Sequence, residues 1–320
     1  MAKLLYIAQF APTNGIMLNQ PQNIAQEHRA KSYHVPIYES LKRLNYDFFS
    51  TSDINHLIEH HDEYDLVWPL FSMNELLFCK YLDLEYIGVA PNINTTSFDK
   101  SLSKLLAKQL GLKTGKWIVA DKKHGLQKAA PFPGPYFVKP RFSAASFGID
   151  ESCICETWGD VTQRAERYFI ERIPIIIEEF IEGVEFSVPI VNTTDKKPIV
   201  PLPFSKRSDK KGELKTYEQK AFHESGMTRH ICQDEYLRGV LQHCAKKYFL
   251  QAQPCDYARV DFIVENKSGI PFFLEFEVKP NIGIKSAAVF GLLHDAFSSY
   301  DDLIRHIVEL GMDRVNKRNK

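Results

Sequence analysis

Ala258-Arg259-Val260-Asp261-Phe262-Ile263-Val264, a polar turn Glu265-Asn266-Lys267-Ser268-Gly269, and Phe272-Phe273-Leu274-Glu275-Phe276-Glu277-Val278 form the stretch on which the fold turns. Two alternating runs around a glycine-containing turn read as an antiparallel hairpin. With the turn symmetric about Ser268, Asp261 lies opposite Glu275 and Arg259 opposite Glu277. Side chains alternate between faces, so these four share one face and Val260, Phe262, Leu274 and Phe276 share the other. Three acids on one face repel each other unless a cation or base neutralises them. Two readings fit: a surface face salted by Arg259, or a hard-cation site whose oxygens hold magnesium carrying a nucleotide phosphate.

Two further stretches lie upstream. Ile175-Ile176-Ile177-Glu178-Glu179-Phe180-Ile181-Glu182-Gly183-Val184-Glu185-Phe186-Ser187-Val188 reads as a buried strand, a Glu-Gly turn and an alternating strand. Adenine needs an apolar slot with edge donors and acceptors, and a ribose needs an acid. Glu178 and Glu185 flank the turn and suit both roles, although each alone also reads as solvent-exposed. Phe137-Val138-Lys139-Pro140 is followed by Arg141-Phe142-Ser143-Ala144-Ala145-Ser146-Phe147-Gly148. A lysine at a strand end, before a small-residue loop, can hold a polyphosphate with backbone N–H groups lining the pocket. The plainer reading is a strand and turn with an exposed lysine.

Around these motifs the chain alternates strands and helices. Residues 4–10 and 64–70 read as buried strands, 74–82 as a short helix and 85–89 as a short strand, a small parallel α/β layer. Residues 91–94 read as a connector, with Thr95, Thr96 or Ser97 capping a helix whose apolar residues are Leu102, Leu105, Leu106 and Leu110, stopped by Gly111. Further helices are expected at 158–172, 235–249 and from Asp301, where Ser299 and Asp302 have capping-box spacing. Strands are expected at 184–191, 258–264 and 272–278. Residues 205–220 carry six Lys/Arg against three acids and read as a long, mobile, basic lid.

Composition bounds the rest. The 320 residues suit about two or three domains, and the 40 basic and 40 acidic residues cancel. Neutrality excludes a strongly basic duplex-DNA binder, and no apolar run reaches the length of a transmembrane helix. The six cysteines form no CxxC and no zinc-like spacing, so they read as reduced core thiols of a cytoplasmic protein.

Asp99-Lys100, Val138-Lys139-Pro140, the loop 143–148, Glu178 through Glu185, Arg259/Asp261 and Glu275/Glu277 follow one another in a single order. In that order they resemble the ATP-grasp superfamily, most closely its D-alanine–D-alanine ligase-like branch. The resemblance implies an α/β (α+β) three-domain ATP-grasp fold. An N-terminal Rossmann-like pre-ATP-grasp domain would span 1–94, a central lid domain 95–182 and a C-terminal domain with the metal and substrate site 183–320. It implies that Lys100 and Lys139 bind phosphate. Lys104 matches a further family lysine and also reads as simply exposed. The loop with Ser146 would close over the phosphates, and Lys220 would lie near the γ-phosphate. Glu178 and Ile181 would read the adenine edge, Phe180 would pack on the base and Glu185 would bind the ribose. Asp261, Glu275 and Glu277 would hold two magnesium ions, with manganese as a substitute. Arg259 would offset charge on an acyl phosphate and tetrahedral intermediate. Ser286 would hold the second substrate's carboxylate, with Lys285 and Lys279 beside it.

The implied activity is ATP-dependent ligation of a carboxylate to an amine through an acyl phosphate, releasing ADP and phosphate. The partners are small molecules, an amino acid and a second small acid, with no nucleic acid or membrane, and the enzyme is expected to be a homodimer. The sequence departs from the family where the first D-alanine is oriented. Ala144 and Ala145 replace a glycine and serine, Ala221 replaces a tyrosine, and Ala11-Pro12-Thr13-Asn14-Gly15 lacks a glutamate. Glu277 replaces an asparagine, and Lys279-Pro280-Asn281 replaces a stretch ending in Pro-Gly. These departures favour a ligase of other amino acids or small acids. A peptidoglycan D-alanine–D-alanine ligase and an ATP-grasp kinase are the alternatives. A non-catalytic ATP-binding module is disfavoured because Lys139, Arg259, Asp261, Glu275 and Glu277 are all present.

Overall fold

The computed structural model describes residues 2–8, 11, 31–70, 75–143, 148–208, 227–318 and 320. Its first sheet is built from β1 (Leu4–Ile7), β2 (Phe48–Thr51), β3 (Leu66–Pro69) and β4 (Glu85–Tyr86), interleaved with α1 (Lys31–Arg43), α2 (Asn55–Glu59) and α3 (Glu75–Tyr81). The order is β2-β1-β3-β4 and every pairing is parallel. All four residues of β1 are buried, as a parallel strand covered on both faces requires. Strand β2 was not expected from the sequence. Its Ser50 and Thr51 are polar yet buried, so hydrophobic patterning passes over it.

The expected connector at 91–94 is instead the start of a helix, α4 (Pro91–Phe98). Pro91 stands in its first turn, where a missing N–H loses no helical bond. The next helix, α5 (Lys100–Gln109), is capped not by Thr95, Thr96 or Ser97 but by Asp99, whose carboxylate accepts from the N–H groups of Ser101 and Leu102. Gly111 follows at φ +74°, a left-handed position that favours glycine.

The second sheet orders β5 (Trp117–Ala120), β8 (Ile175–Glu179), β6 (Tyr136–Pro140) and β7 (Ile154–Cys155), all antiparallel. Helix α6 (Trp158–Ile170) packs Val161, Ala165 and Tyr168 against Ile175 and Ile177 of this sheet.

The third sheet runs β11 (Met227–Ile231), β10 (Phe204–Ser208), β9 (Gly183–Val191), β12 (Tyr257–Glu265), β13 (Pro271–Glu277), again antiparallel. Residues 205–208 of the expected basic loop therefore belong to β10, and 209–226 lie outside the described residues. One face of this sheet packs on α7 (Glu235–Gln251), where Val260, Phe262, Phe273 and Phe276 meet Leu241, Ala245, Tyr248 and Phe249. The Tyr248 and Phe273 rings stack at 4.9 Å. Helix α8 (Ala287–Asp295) lies on the opposite face against β9.

Helix α9 (Tyr300–Arg318) returns to the first sheet. Leu303, Ile304 and Ile307 share one core with Leu4, Leu66 and Trp68, each such side chain contributing roughly 1.5–3 kcal/mol by burial. Gly311 permits the approach, since a Cβ there would meet Leu66 Cδ2 at 2.7 Å. The start of α9 makes half of the expected capping box: Ser299 Oγ accepts from the Asp302 N–H at 3.1 Å, while the Asp302 carboxylate accepts from the Ser299 hydroxyl at 2.8 Å in place of its backbone N–H. All six cysteines are free thiols, five of them buried.

Candidate active site

The hairpin register follows the expected pairing: Arg259 faces Glu277 and Asp261 faces Glu275. A bulge then shifts the register, so that Phe262 pairs with Phe273. The apolar face consequently uses Phe273, fully buried, and not the expected Leu274. The polar face continues across β9, where Ser187 stands beside Asp261 and Glu185 beside Ile263.

Arg259 claims most of this face. Its guanidinium donates to both oxygens of Asp261, at 2.9 Å from Nε and 2.7 Å from Nη2. Ser187 Oγ adds a bond to Asp261 Oδ1 at 2.6 Å. Burial alone would lower the Arg259 pKa, but the Asp261 charge outweighs it and holds the guanidinium well above its usual value. Glu275, with its side chain 39% exposed, lies 3.9 Å from Arg259. Glu277 Oε1 accepts from the Lys279 backbone N–H at 3.4 Å. Among the described residues no three His, Cys, Asp or Glu side chains group around a metal position, and Asp261 is held by Arg259. Glu275 and Glu277 nonetheless supply hard oxygen donors on one partly open face, the donor chemistry that a phosphate-bound divalent cation accepts.

The lysines come from α5 and β6. Lys100 and Lys104 are one helical turn apart and both are buried. The reading of Lys104 as exposed is overturned, since only 2% of its surface is accessible. Its Nζ donates to Thr114 Oγ1 at 2.9 Å and lies 2.7 Å from Glu178 Oε1. Lys139 Nζ lies 2.5 Å from Glu178 Oε2. Glu178 is thus clamped between two lysines and is not solvent-exposed. Lys104 thus engages Glu178 Oε1 as Lys139 engages Oε2, and both carboxylate oxygens are held by a lysine. Burial pushes the Glu178 carboxyl up, but Lys104 and Lys139 outweigh it and bring its pKa down to about 2. Burial also lowers Lys139, yet there Glu178 prevails and the pKa rises.

Lys100 Nζ donates to the backbone carbonyl of Ser143 and, at 2.9 Å, to Ser143 Oγ. It therefore stands at the start of the small-residue loop, of which 144–147, including Ser146, lie outside the described residues. Burial, followed by the neighbouring Lys139 charge, lowers Lys100 to about 8, while Glu275, Glu178 and Glu277 oppose that shift. The hairpin acids and the lysines thus act on one another across one site. Asp99 and Arg141 brace this corner through a two-point pair at 2.9 and 2.6 Å. Patterning had missed that brace, Thr114 and Ser187. Only Asp99 carried a signal, as a cap residue directly before a helix.

The other expected site residues fall as follows. Phe180 stacks on Phe137 at 6.5 Å. Half-buried Ile181 has no backbone hydrogen bond among the described residues. Glu185 is half-buried on β9. Lys285 is exposed, and its carbonyl accepts from Arg229. Ser286 is buried and caps α8 through the Val289 N–H at 3.2 Å. Lys220 lies outside the described residues.

A four-stranded antiparallel sheet carrying Lys139, helix α5 carrying Lys100 and Lys104, and a second antiparallel sheet carrying acids make the arrangement of the ATP-grasp class. Solved structures share this fold. A D-alanine–D-alanine ligase of Bacillus anthracis complexed with ATP superposes with a TM-score of 0.76 at 17% identity, covering 99% of this chain and 100% of that one. The VanG D-Ala:D-Ser ligase of Enterococcus faecalis superposes with a TM-score of 0.75 at 15% identity, covering 97% and 99%. Among curated proteins, the D-alanine–D-alanine ligase of Halalkalibacterium halodurans is 28% identical over 244 residues, which is 73% of this chain and 75% of that protein. The ligase of the same name from Nitrosomonas eutropha is 27% identical over 238 residues, 72% of each. Residues 106–309 match the family described as D-ala D-ala ligase C-terminus, and the chain belongs to that family. It is an ATP-dependent ligase that forms C–N bonds.

Proposed function

We propose that this enzyme joins an amino acid to another amino acid or small acid. A carboxylate oxygen of the first substrate attacks the γ-phosphorus of ATP, forming an acyl phosphate and releasing ADP. The amine of the second substrate then attacks the acyl carbon, loses a proton, and phosphate leaves. The supporting observation is the buried set Lys100, Lys104, Lys139 and Glu178 facing the hairpin acids. Lys100 and Lys139 hold the phosphates, and Arg259 offsets charge developing on the acyl group. Glu275, Glu277 and Asp261 would hold magnesium, or manganese in its place, which supplies charge neutralisation on the phosphates. Ile181 offers adenine its open backbone groups and Phe180 an apolar surface, while Glu178 is assigned to the adenine edge and Glu185 to the ribose from the sequence resemblance. Ser146 and Lys220 are assigned to phosphate closure from the sequence resemblance alone. Ser286, at the α8 N-terminus, faces the substrate carboxylate, with Lys279 and Lys285 as neighbours.

The division into 1–94, 95–182 and 183–320 is proposed with it, supported by one sheet within each span. The packing of α9 on the first sheet couples the ends of the chain. Among the described residues no helix is long and apolar enough to cross a membrane. The six free thiols support a cytoplasmic location. A homodimer is proposed with Leu77, Phe78 and Tyr81 exposed on α3 as the apolar surface to test by sedimentation.

A second reading, ligation of two D-alanines, is favoured by the names of the relatives. The substitutions Ala144, Ala145 and Ala221 in the sequence speak against it. A panel of amino acids with ATP and magnesium, read by phosphate release and product mass, decides. Product from D-alanine alone supports the second reading. ADP release without an amine would overturn both.

A further inference from the structure

Lys104 is as deeply buried as any charge of the site, and its ammonium is held by protein groups. Its ammonium is shared between Thr114 Oγ1 and Glu178 Oε1, and 2% of the residue is accessible. It cannot touch a phosphate directly. Lys139, by contrast, retains 11% of its side-chain surface and reaches the other oxygen of the same carboxylate.

The consequence is one of charge distribution. A lysine and a glutamate alone, 2.5 Å apart, would form a neutral pair and offer little to an anion. A second lysine on the same carboxylate supplies the missing counter-charge from the buried side. Three lysines and one glutamate, all buried, leave two net positive charges. These are presented by Lys139 and Lys100, because Lys104 has no open surface. In a site of low effective dielectric such a surplus is felt strongly by a polyphosphate.

We propose that Lys104 is a positioning residue that neutralises Glu178 from behind and thereby frees the Lys139 charge for the nucleotide phosphates. The helix makes this possible because Lys100 and Lys104 stand at i and i+4 on its buried side. Asp99, held by Arg141, fixes the first turn and so the height of both lysines. The assignment rests on the ATP reading above.

Binding of ATP and of inorganic tripolyphosphate to the full chain, measured by calorimetry at pH 7, tests it. Tripolyphosphate lacks a base, so it reports the phosphate charges without any adenine contact of Glu178. Lys104→Met is expected to weaken both ligands about tenfold, the order of one charge-assisted interaction. In steady state, KM for ATP should rise more than kcat falls, since Lys104 does not touch the reacting atoms. Lys104→Met/Glu178→Gln restores the two-charge surplus and should recover most of the tripolyphosphate affinity. Lys104→Arg keeps the charge and should stay near wild type. A residue needed only for packing would not be rescued by removing a second buried group. Unchanged tripolyphosphate affinity in Lys104→Met overturns the proposal, as does a double variant as weak as the single one. If the wild-type chain binds neither ligand, the ATP reading fails instead, and the two failures are distinguishable.

Discussion

Two halves of the site solve the same electrostatic problem in opposite ways. On α5, β6 and β8 the charges are dry and already matched: Glu178 is 5% exposed and lies between Lys104 and Lys139. On the β12–β13 hairpin only one pair is dry and matched: Arg259 holds buried Asp261, while Glu275 remains 39% exposed. Buried ions need partners to exist at all, whereas exposed ones can wait for a ligand. The lysine half should therefore be a stability element as well as a binding element, and Glu275 on the acid half a catalytic element with little structural weight.

The strongest way to break that contrast is Glu178→Gln. It leaves two buried lysines without their anion and is expected to lower unfolding free energy by about 3–5 kcal/mol, measured by urea denaturation. The sign of the pH dependence follows. The Glu178 carboxyl is depressed from 4.5 to about 2, so its stabilisation is complete above pH 4.5 and is lost as pH falls through 2. The variant should lose that component of the acid transition. A variant as stable as wild type at pH 7 would mean that the lysines do not depend on Glu178.

Glu275→Gln is the complementary change. Activity should fall by about 10²–10³-fold, as when one group stabilising transition-state charge is removed, while the melting temperature stays put. Wild-type turnover would remove Glu275 from the chemistry. Lys139→Ala should come next, with ATP affinity reduced roughly tenfold and a readout by calorimetry.

Lys100 gives a smaller effect that separates the halves by proton count. It titrates near pH 8 because it is buried and next to Lys139. The folded value lies below the usual 10.5, so the charged form is penalised at lower pH, and that penalty is relieved as pH rises from 8 to 10.5. A bound phosphate would restore the charge. ATP binding at pH 8.5 should therefore take up a fraction of a proton, seen as a dependence of the binding heat on buffer ionisation enthalpy. No such dependence would place Lys100 away from the phosphates.

The hairpin was legible because its signals are local. Alternation and a short turn fix which residues oppose each other, and Asp261–Glu275 and Arg259–Glu277 follow. The bulge that exchanges Leu274 for Phe273 on the core face was not legible, since one extra residue leaves no composition signal. Strand β2 was missed because buried Ser50 and Thr51 look like surface. The lysine cluster was half legible. Lys100, Lys139 and Glu178 carry motifs, but the meeting of Lys104 with Glu178 depends on packing between elements 74 positions apart. Nothing local announces it.

Helix α5 shows why that meeting was hidden, and it carries the smallest prediction. Periodicity assigns Leu102 and Leu105 to the core, yet they are 42% and 46% exposed, while Lys100, Ser101, Ser103 and Lys104 are inside. A helix that turns its lysines inward against its own hydrophobic pattern gives up burial of leucine for placement of charge. Helix α6, away from the lysines, keeps the ordinary arrangement with Val161, Ala165 and Tyr168 inside. Leu102→Ala and Leu105→Ala should thus change stability by only about 0.5 kcal/mol or less, as at exposed sites. Val161→Ala on α6, fully buried, should cost several times more, about 1–3 kcal/mol for two lost methyl groups. A large loss at Leu105 would mean that another surface covers α5 in solution, and the inversion would then reflect an interface and not the demands of the site.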